Sequence, residues 1–371
     1  MSELISEGGF GCVFHPMIGC NGRSTKDEAF VTKIQMKDFN SSNEADVGGL
    51  VAELPSYRLY FLPAVESCPI NVRSIDAPAL RECNVITNAA DTSQFIAMNI
   101  PYMNGVDFVE ALQTGSAKRA VLTIAETYRY LLTAIAKLRA AEVVHMDLKL
   151  GNVVFTRETL SPRVIDFGIS IPVQLITPEN MTEYFYSYEP TYYIWAPEIN
   201  VIAYMLTRTK VGLTETDVER IATEITAGSK PLEQMSDEIR ENYRDALISQ
   251  FKQFIGVERK KAIDELLKTW RTWDTYSLNA MYLRVIVSVF QSQAHESGFI
   301  ALMKDVFMKG ISADPKERPD PESLGTMFMN IFFMDGDVQS YLDTAKEFKV
   351  DEEQITRRLK YDTISVRPST K

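Results

Sequence analysis

Apolar and polar positions along the chain change their period near residue 105. Before it, short runs rich in β-branched and aromatic residues sit between turn signals, at Val13-Phe14, Phe30 to Ile34, Asn71 to Ile75 and Phe95 to Met98. One stretch there, Ser42 to Glu53, reads as a helix, although Gly48-Gly49 weaken it. From about Asp107 the period becomes helical. Val121, Ile124, Tyr128, Leu131, Ile135 and Leu138 recur at three- and four-residue steps and make one apolar face. Val218, Ile221 and Ile225 form a second stripe, and Ile239, Tyr243, Leu247, Phe251 and Phe254 a third. Both read as intramolecular core. The pattern predicts an α+β, bilobal chain: a small β-rich lobe over 1–103, a larger helical lobe over 104–334, and a tail over 335–371.

Composition narrows the function classes. Apolar residues make up 45% of the 371 positions and charged residues 24%, the balance of a soluble globular protein. A net charge of −11 argues against a sequence-independent nucleic-acid binder and offers no footing on an anionic membrane. No signal peptide and no apolar run of membrane-spanning length is evident, so a cytoplasmic protein is expected. Cys12, Cys20, Cys68 and Cys83 show no paired CxxC spacing and no Cys/His cluster. Reduced thiols are the expectation, with neither a zinc site nor a disulfide framework.

Two short stretches carry the chemistry. His145-Met146-Asp147-Leu148-Lys149-Leu150-Gly151-Asn152 reads HxDxKxxN, and Asp166-Phe167-Gly168 follows fourteen residues after the Asn. Phosphoryl transfer requires carboxylate and amide ligands for Mg²⁺, a carboxylate near the attacking hydroxyl, and cations on the phosphates. The two stretches supply most of that set. Upstream, Ser6-Glu7-Gly8-Gly9-Phe10-Gly11-Cys12-Val13 nearly matches GxGxxGxV, with Ser6 at the first Gly. Glycines there let backbone N–H groups approach phosphates. Lys33, on a predicted strand twenty residues on, is placed to reach phosphate oxygens. It needs an anion to hold it; Glu44 is the choice, with Asp46 and Glu53 as rivals on the same helix.

In these motifs the chain resembles the eukaryotic-type protein kinases from about Ile5 to Ser323. The resemblance implies the bilobal protein-kinase fold, with ATP and Mg²⁺ as cofactors and a protein bearing a Ser/Thr acceptor as partner. It assigns Ser6, Gly8, Gly11 and Val13 to the phosphate-covering loop, Lys33 and Glu44 to the phosphate clamp, and Val31 to the roof of the adenine site. Ile100 would line the back of the pocket, Met103 would serve the adenine edge from a hinge at 100–103, and Asp107 would reach the ribose. Asp147 matches the catalytic carboxylate, Lys149 the cation beside the transferred phosphate, and Asn152 and Asp166 the metal ligands. Thr191, seven residues before Glu198, matches a threonine that hydrogen-bonds the catalytic Asp and Lys. Ala196-Pro197-Glu198 matches the close of the activation segment, Arg318 the arginine that pairs with that Glu, and Asp274 a buried aspartate that receives catalytic-loop N–H groups. Lys149 favours Ser/Thr specificity.

The departures matter as well. Met146 replaces the arginine that in the family receives an activation-loop phosphate, so constitutive activity is expected. Glu198 and Asp274 stand 76 residues apart, which implies a helical insertion over 199–273. Compact, divergent kinases of large DNA viruses are similar in these features, including the Ile-Trp before Ala196. Two other classes compete: a pseudokinase scaffold, disfavoured because Lys33, Asp147, Asn152 and Asp166 are all present, and a small-molecule kinase on the related fold, disfavoured by Lys149 and Ala196-Pro197-Glu198.

Overall fold

The N-terminal strands assemble into one antiparallel sheet because their alternation leaves an apolar row on each face. The computed structural model describes residues 2–8, 11–20, 27–75, 78–113, 117–209, 211–290, 298–333, 357 and 359. In chain order the first lobe contains β1 (Glu3–Glu7), β2 (Gly11–His15), β3 (Phe30–Met36), helix α1 (Phe39–Ala52), β4 (Glu66–Ile70), the short α2 (Asn84–Thr87) and β5 (Phe95–Pro101). The sheet order is β1-β2-β3-β5-β4. The strand expected at Asn71 to Ile75 lies earlier, at 66–70. Asn71 instead accepts the Arg73 N–H at 3.2 Å and caps a 3₁₀ turn over Val72–Ser74.

Register decides which side chains meet the cleft. Val13 pairs with Lys33, Lys33 with Met98, and Val31 with Ile100. Side chains alternate, so Val13, Val31, Lys33 and Ile100 share the face turned toward the second lobe. Cys12, Phe14, Ile34, Phe95 and Ala97 share the other, packed with Val72, Leu80 and Cys83.

The cysteine expectation is overturned on this outer side. Cys12 is bonded to Cys83 and Cys20 to Cys68, and no free cysteine remains. Pairing follows from sheet topology, which brings residues far apart in sequence together; spacing alone does not reveal it.

α1 begins with a capping box between Asp38 and Ser41. Its glycine pair is not a defect. A Cβ at Gly48 would lie 2.2 Å from the Ala64 carbonyl oxygen, so the helix approaches that segment only with glycine there.

The second lobe begins with β6 (Gly105–Val106), α3 (Phe108–Gln113) and α4 (Ala117–Ala140). β7 (Val143–Val144), β8 (Val153–Thr156), β9 (Pro162–Val164) and β10 (Ile171–Pro172) frame the stretches His145–Asn152 and Asp166–Gly168, and α5 (Met181–Tyr184) follows. Then come α6 (Pro197–Thr207), α7 (Glu215–Gly228), α8 (Asp237–Lys252) and α9 (Arg259–Leu267), and finally α10 (Trp273–Phe290), α11 (Gly298–Gly310) and α12 (Pro321–Phe333). The insertion is thus helical. Its stripes are intramolecular core: Val218, Ile221, Ile225, Tyr243, Leu247, Phe251 and Phe254 are buried, and Ile239 alone of those residues is exposed. All six α4 stripe residues are buried too. Every residue of α10 is buried, which makes it the centre of the lobe. The expected tail lies outside the described residues except for Arg357 and Leu359, both helical, with Leu359 packed into the main core. No helix among the described residues is long and apolar enough to cross a membrane.

Candidate active site

The inner face of the sheet delivers Lys33 to a pair of carboxylates. Its Nζ donates to both Glu44 oxygens at 2.8 and 2.7 Å and to Asp166 Oδ1 at 3.1 Å. Glu44 is buried on the inner side of α1, whereas Asp46 two residues on is exposed. Burial opposes the charge on Lys33, but Asp166 and Glu44 outweigh it and hold the ammonium protonated above its ordinary range. Burial likewise works against Asp166, and Lys33, helped by Lys149 and His145, still holds its carboxyl below the usual carboxylate range. Neighbouring Asn43, which sequence reasoning missed, donates to the backbone oxygens of Gly168 (3.3 Å) and Ser170 (2.8 Å). One turn of α1 therefore grips both the lysine and the Asp166-Phe167-Gly168 turn.

The loop that carries Asp147 is fixed from below. Asp274, buried at the start of α10, accepts the His145 N–H at 2.7 Å and the Met146 N–H at 3.2 Å. Met146 has φ +66° and Asp166 φ +64°, left-handed values that cost energy in non-glycine residues. The surroundings hold Met146 there: Asp274 takes its N–H, and Trp195 Nε1 donates to its carbonyl at 2.9 Å. The Met146 side chain is buried in the core, so no cation occupies this position. At the segment's end Glu198 and Arg318 make a two-pronged, fully buried ion pair at 2.8 and 2.9 Å.

Asp147 is nearly surrounded by donors. Lys149 Nζ donates to Oδ2 at 3.1 Å, and Asn152 Nδ2 donates to the same oxygen at 2.8 Å and to the Asp147 backbone oxygen at 2.9 Å. With its amide nitrogen so committed, Asn152 has its amide oxygen as the atom that could ligate a cation. The third donor is the Tyr192 hydroxyl, to Oδ1.

Two predicted residues are placed otherwise. Thr191 is exposed, and among the described residues its hydroxyl makes no hydrogen bond with Asp147 or Lys149. The turn closed by the Tyr192 N–H on the Glu189 oxygen directs Thr191 outward and Tyr192 inward, so the contact shifts by one residue. Asp107 does not line the cleft. It is exposed, and its Oδ1 accepts the Glu110 N–H at 2.8 Å, capping α3. Tyr186, also near Asp147, buries its hydroxyl with no hydrogen-bond partner among the described residues. Burial, then Asp147 and Glu189, pushes that phenol up.

The cleft between the lobes is a cavity of about 450 Å³. Ser6, Gly8, Gly11, Val13, Val31, Lys33, Glu44, Ile100, Met103, Asn152 and Asp166 all line it, as does Tyr102 of the expected hinge, and so do Leu62 and Val154, which sequence reasoning missed. Its apolar walls and single charged end suit a planar base with a polyphosphate. The donor set, one carboxylate and one amide oxygen beside a lysine, is hard and oxygen-based, and fits Mg²⁺.

A family model described as protein kinase domain matches residues 79–326. It leaves the glycine-rich turn and Lys33 outside the matched span. No curated protein is matched.

Proposed function

This chain belongs to the protein kinase domain family, and we propose that it moves the γ-phosphoryl group of Mg²⁺-bound ATP to serine or threonine hydroxyls of proteins. The observation that carries this reading is the simultaneous grip of Lys33 on Glu44 and Asp166, within one cleft that Asn152 also lines. Asn152 and Asp166 would hold Mg²⁺, which would supply charge neutralisation on the phosphates. Lys33 binds phosphate oxygens from the sheet, and Glu44 keeps it aimed. The Tyr102 N–H is committed to the Ala29 oxygen at 2.8 Å and Pro101 has none, which leaves Met103 to serve the base edge. Asp147 takes the proton of the acceptor hydroxyl, and Lys149 stands beside it as the cation nearest the transferred group.

The reading is tested by transfer from γ-labelled ATP to a generic basic protein and to small alcohols, with and without Mg²⁺. Transfer to protein only, dependent on Mg²⁺, is expected. Asp147→Asn slows it by ~10²-fold or more, in the range of positioned acid–base groups, and Asp166→Asn abolishes it with the fold intact. Near-normal rates in both variants would show that the residues are misassigned. Label on small alcohols alone would place the chain among small-molecule kinases.

A further inference from the structure

A carboxylate that accepts a proton must keep a lone pair available for it. Asp147 has about four acceptor sites on its two oxygens. Lys149 and Asn152 occupy both on Oδ2, and the Tyr192 hydroxyl occupies one on Oδ1. One site remains, on Oδ1, beside the tyrosine.

We propose that Tyr192 is the positioning residue of this active site: its hydroxyl orients Asp147 so that a single Oδ1 lone pair faces the incoming acceptor. The inference rests on the reading of Asp147 as the base. In the step it serves, the acceptor oxygen bonds to the γ-phosphorus and the bond from that phosphorus to the β–γ bridging oxygen breaks. ADP leaves, and the acceptor's proton passes to Oδ1.

The surroundings of Tyr192 are those of a fixed strut. Its ring packs edge-on against Trp195, with centroids 5.5 Å apart at 90°. Trp195 in turn is bonded to the Met146 carbonyl, one residue before Asp147. Two aromatic residues of the segment before α6 thus clasp the catalytic loop, one by its backbone and one by its carboxylate. The insertion backs the clasp from outside. Tyr188 donates to Glu224 of α7 at 2.6 Å, and the last residue of α7, Gly228, lies against Pro190 and Thr191. Burial and the charge of Asp147 push the Tyr192 phenol well above its ordinary range, so the hydroxyl stays a donor at working pH. The site therefore needs no phosphate-bearing residue to hold this part of the segment against Asp147, in keeping with Met146 at the position before it.

Tyr192→Phe removes the hydroxyl and keeps the ring. The expected result is a fall in kcat of tenfold or more, with KM for ATP changed by less than twofold. A faster variant would mean that the hydroxyl blocks the acceptor and would overturn the proposal, as would an unchanged kcat. If the variant melts earlier, both constants are read well below its midpoint, where an equal rise in KM and fall in kcat overturns it. Wild-type protein that transfers to no acceptor overturns the functional reading and this inference together. Wild-type transfer matched by the variant overturns the inference alone.

Discussion

Around Asp147 two tyrosine hydroxyls have opposite energetic standing. Tyr192 is paired with a charged acceptor, whereas Tyr186 is buried without a partner among the described residues. Burying an unpaired hydroxyl costs about 1–3 kcal/mol, and replacing it by an apolar group of the same shape avoids the cost. Tyr186→Phe is therefore expected to raise stability by about 1 kcal/mol, read as a higher urea midpoint at an unchanged slope. A lower midpoint would mean that the hydroxyl has a partner after all. At this scale the motifs singled out residues that the fold brings together, since Lys33, Glu44, Asn152 and Asp166 line one cleft. They failed where a contact depends on a local turn. Thr191 and Tyr192 are adjacent, and the local turn, closed by the Tyr192 N–H on the Glu189 oxygen, sets which of them faces Asp147. Asp107 failed for a related reason: an aspartate before a helix caps it whether or not a cleft lies nearby.

At the scale of elements, periodicity was the dependable signal. The stripes of α4, α7 and α8 are long enough for the helical repeat to stand out, and nearly all of their residues are buried. Short strands gave less: β4 lies five residues before the run expected, since Asn71 turns that run into a capped 3₁₀ turn. What the stripes do not disclose is where the insertion docks. α7, N-capped by Thr214 with Asp217 in a reciprocal box, points its C-terminal end at the segment before α6. A Cβ on Gly228 would sit 2.5 Å from Thr191 Cα and 2.7 Å from the Pro190 oxygen, both backbone atoms that cannot swing aside. Gly228→Ala is thus expected to displace the stretch that carries Tyr192. Transfer to protein should fall by tenfold or more, while nucleotide affinity, set by the other lobe and the cleft, changes little. Equal losses in both would show that the substitution unfolds the insertion rather than shifting the segment.

At the scale of the whole molecule, parts of the chain distant in sequence are locked to each other in both lobes. In the helical lobe the buried Glu198–Arg318 pair joins the segment's end to the turn before α12, with Arg318 also bonded to the Ser312 oxygen at 2.7 Å. In the β-rich lobe the locks are covalent. Cys12 directly follows the glycine turn and is bonded to Cys83, and Glu7, just before the turn, accepts from both the backbone and side-chain nitrogens of Asn84. Both flanks of the glycine-rich stretch therefore stand on residues 83–84. A cross-link over a 71-residue separation stabilises chiefly by restricting the unfolded chain, by ~2–4 kcal/mol, and the nested Cys20–Cys68 bond adds less because its loop is already enclosed. Cys12→Ser combined with Cys83→Ser should lower the melting temperature and also raise KM for ATP, since one flank of that stretch is released while Lys33 and Asp166 stay in place. Thiol titration of the unfolded, unreduced wild type should find no free groups. Four reactive thiols, or a double variant that melts with the wild type and binds ATP equally well, would show that the turn is held by packing alone.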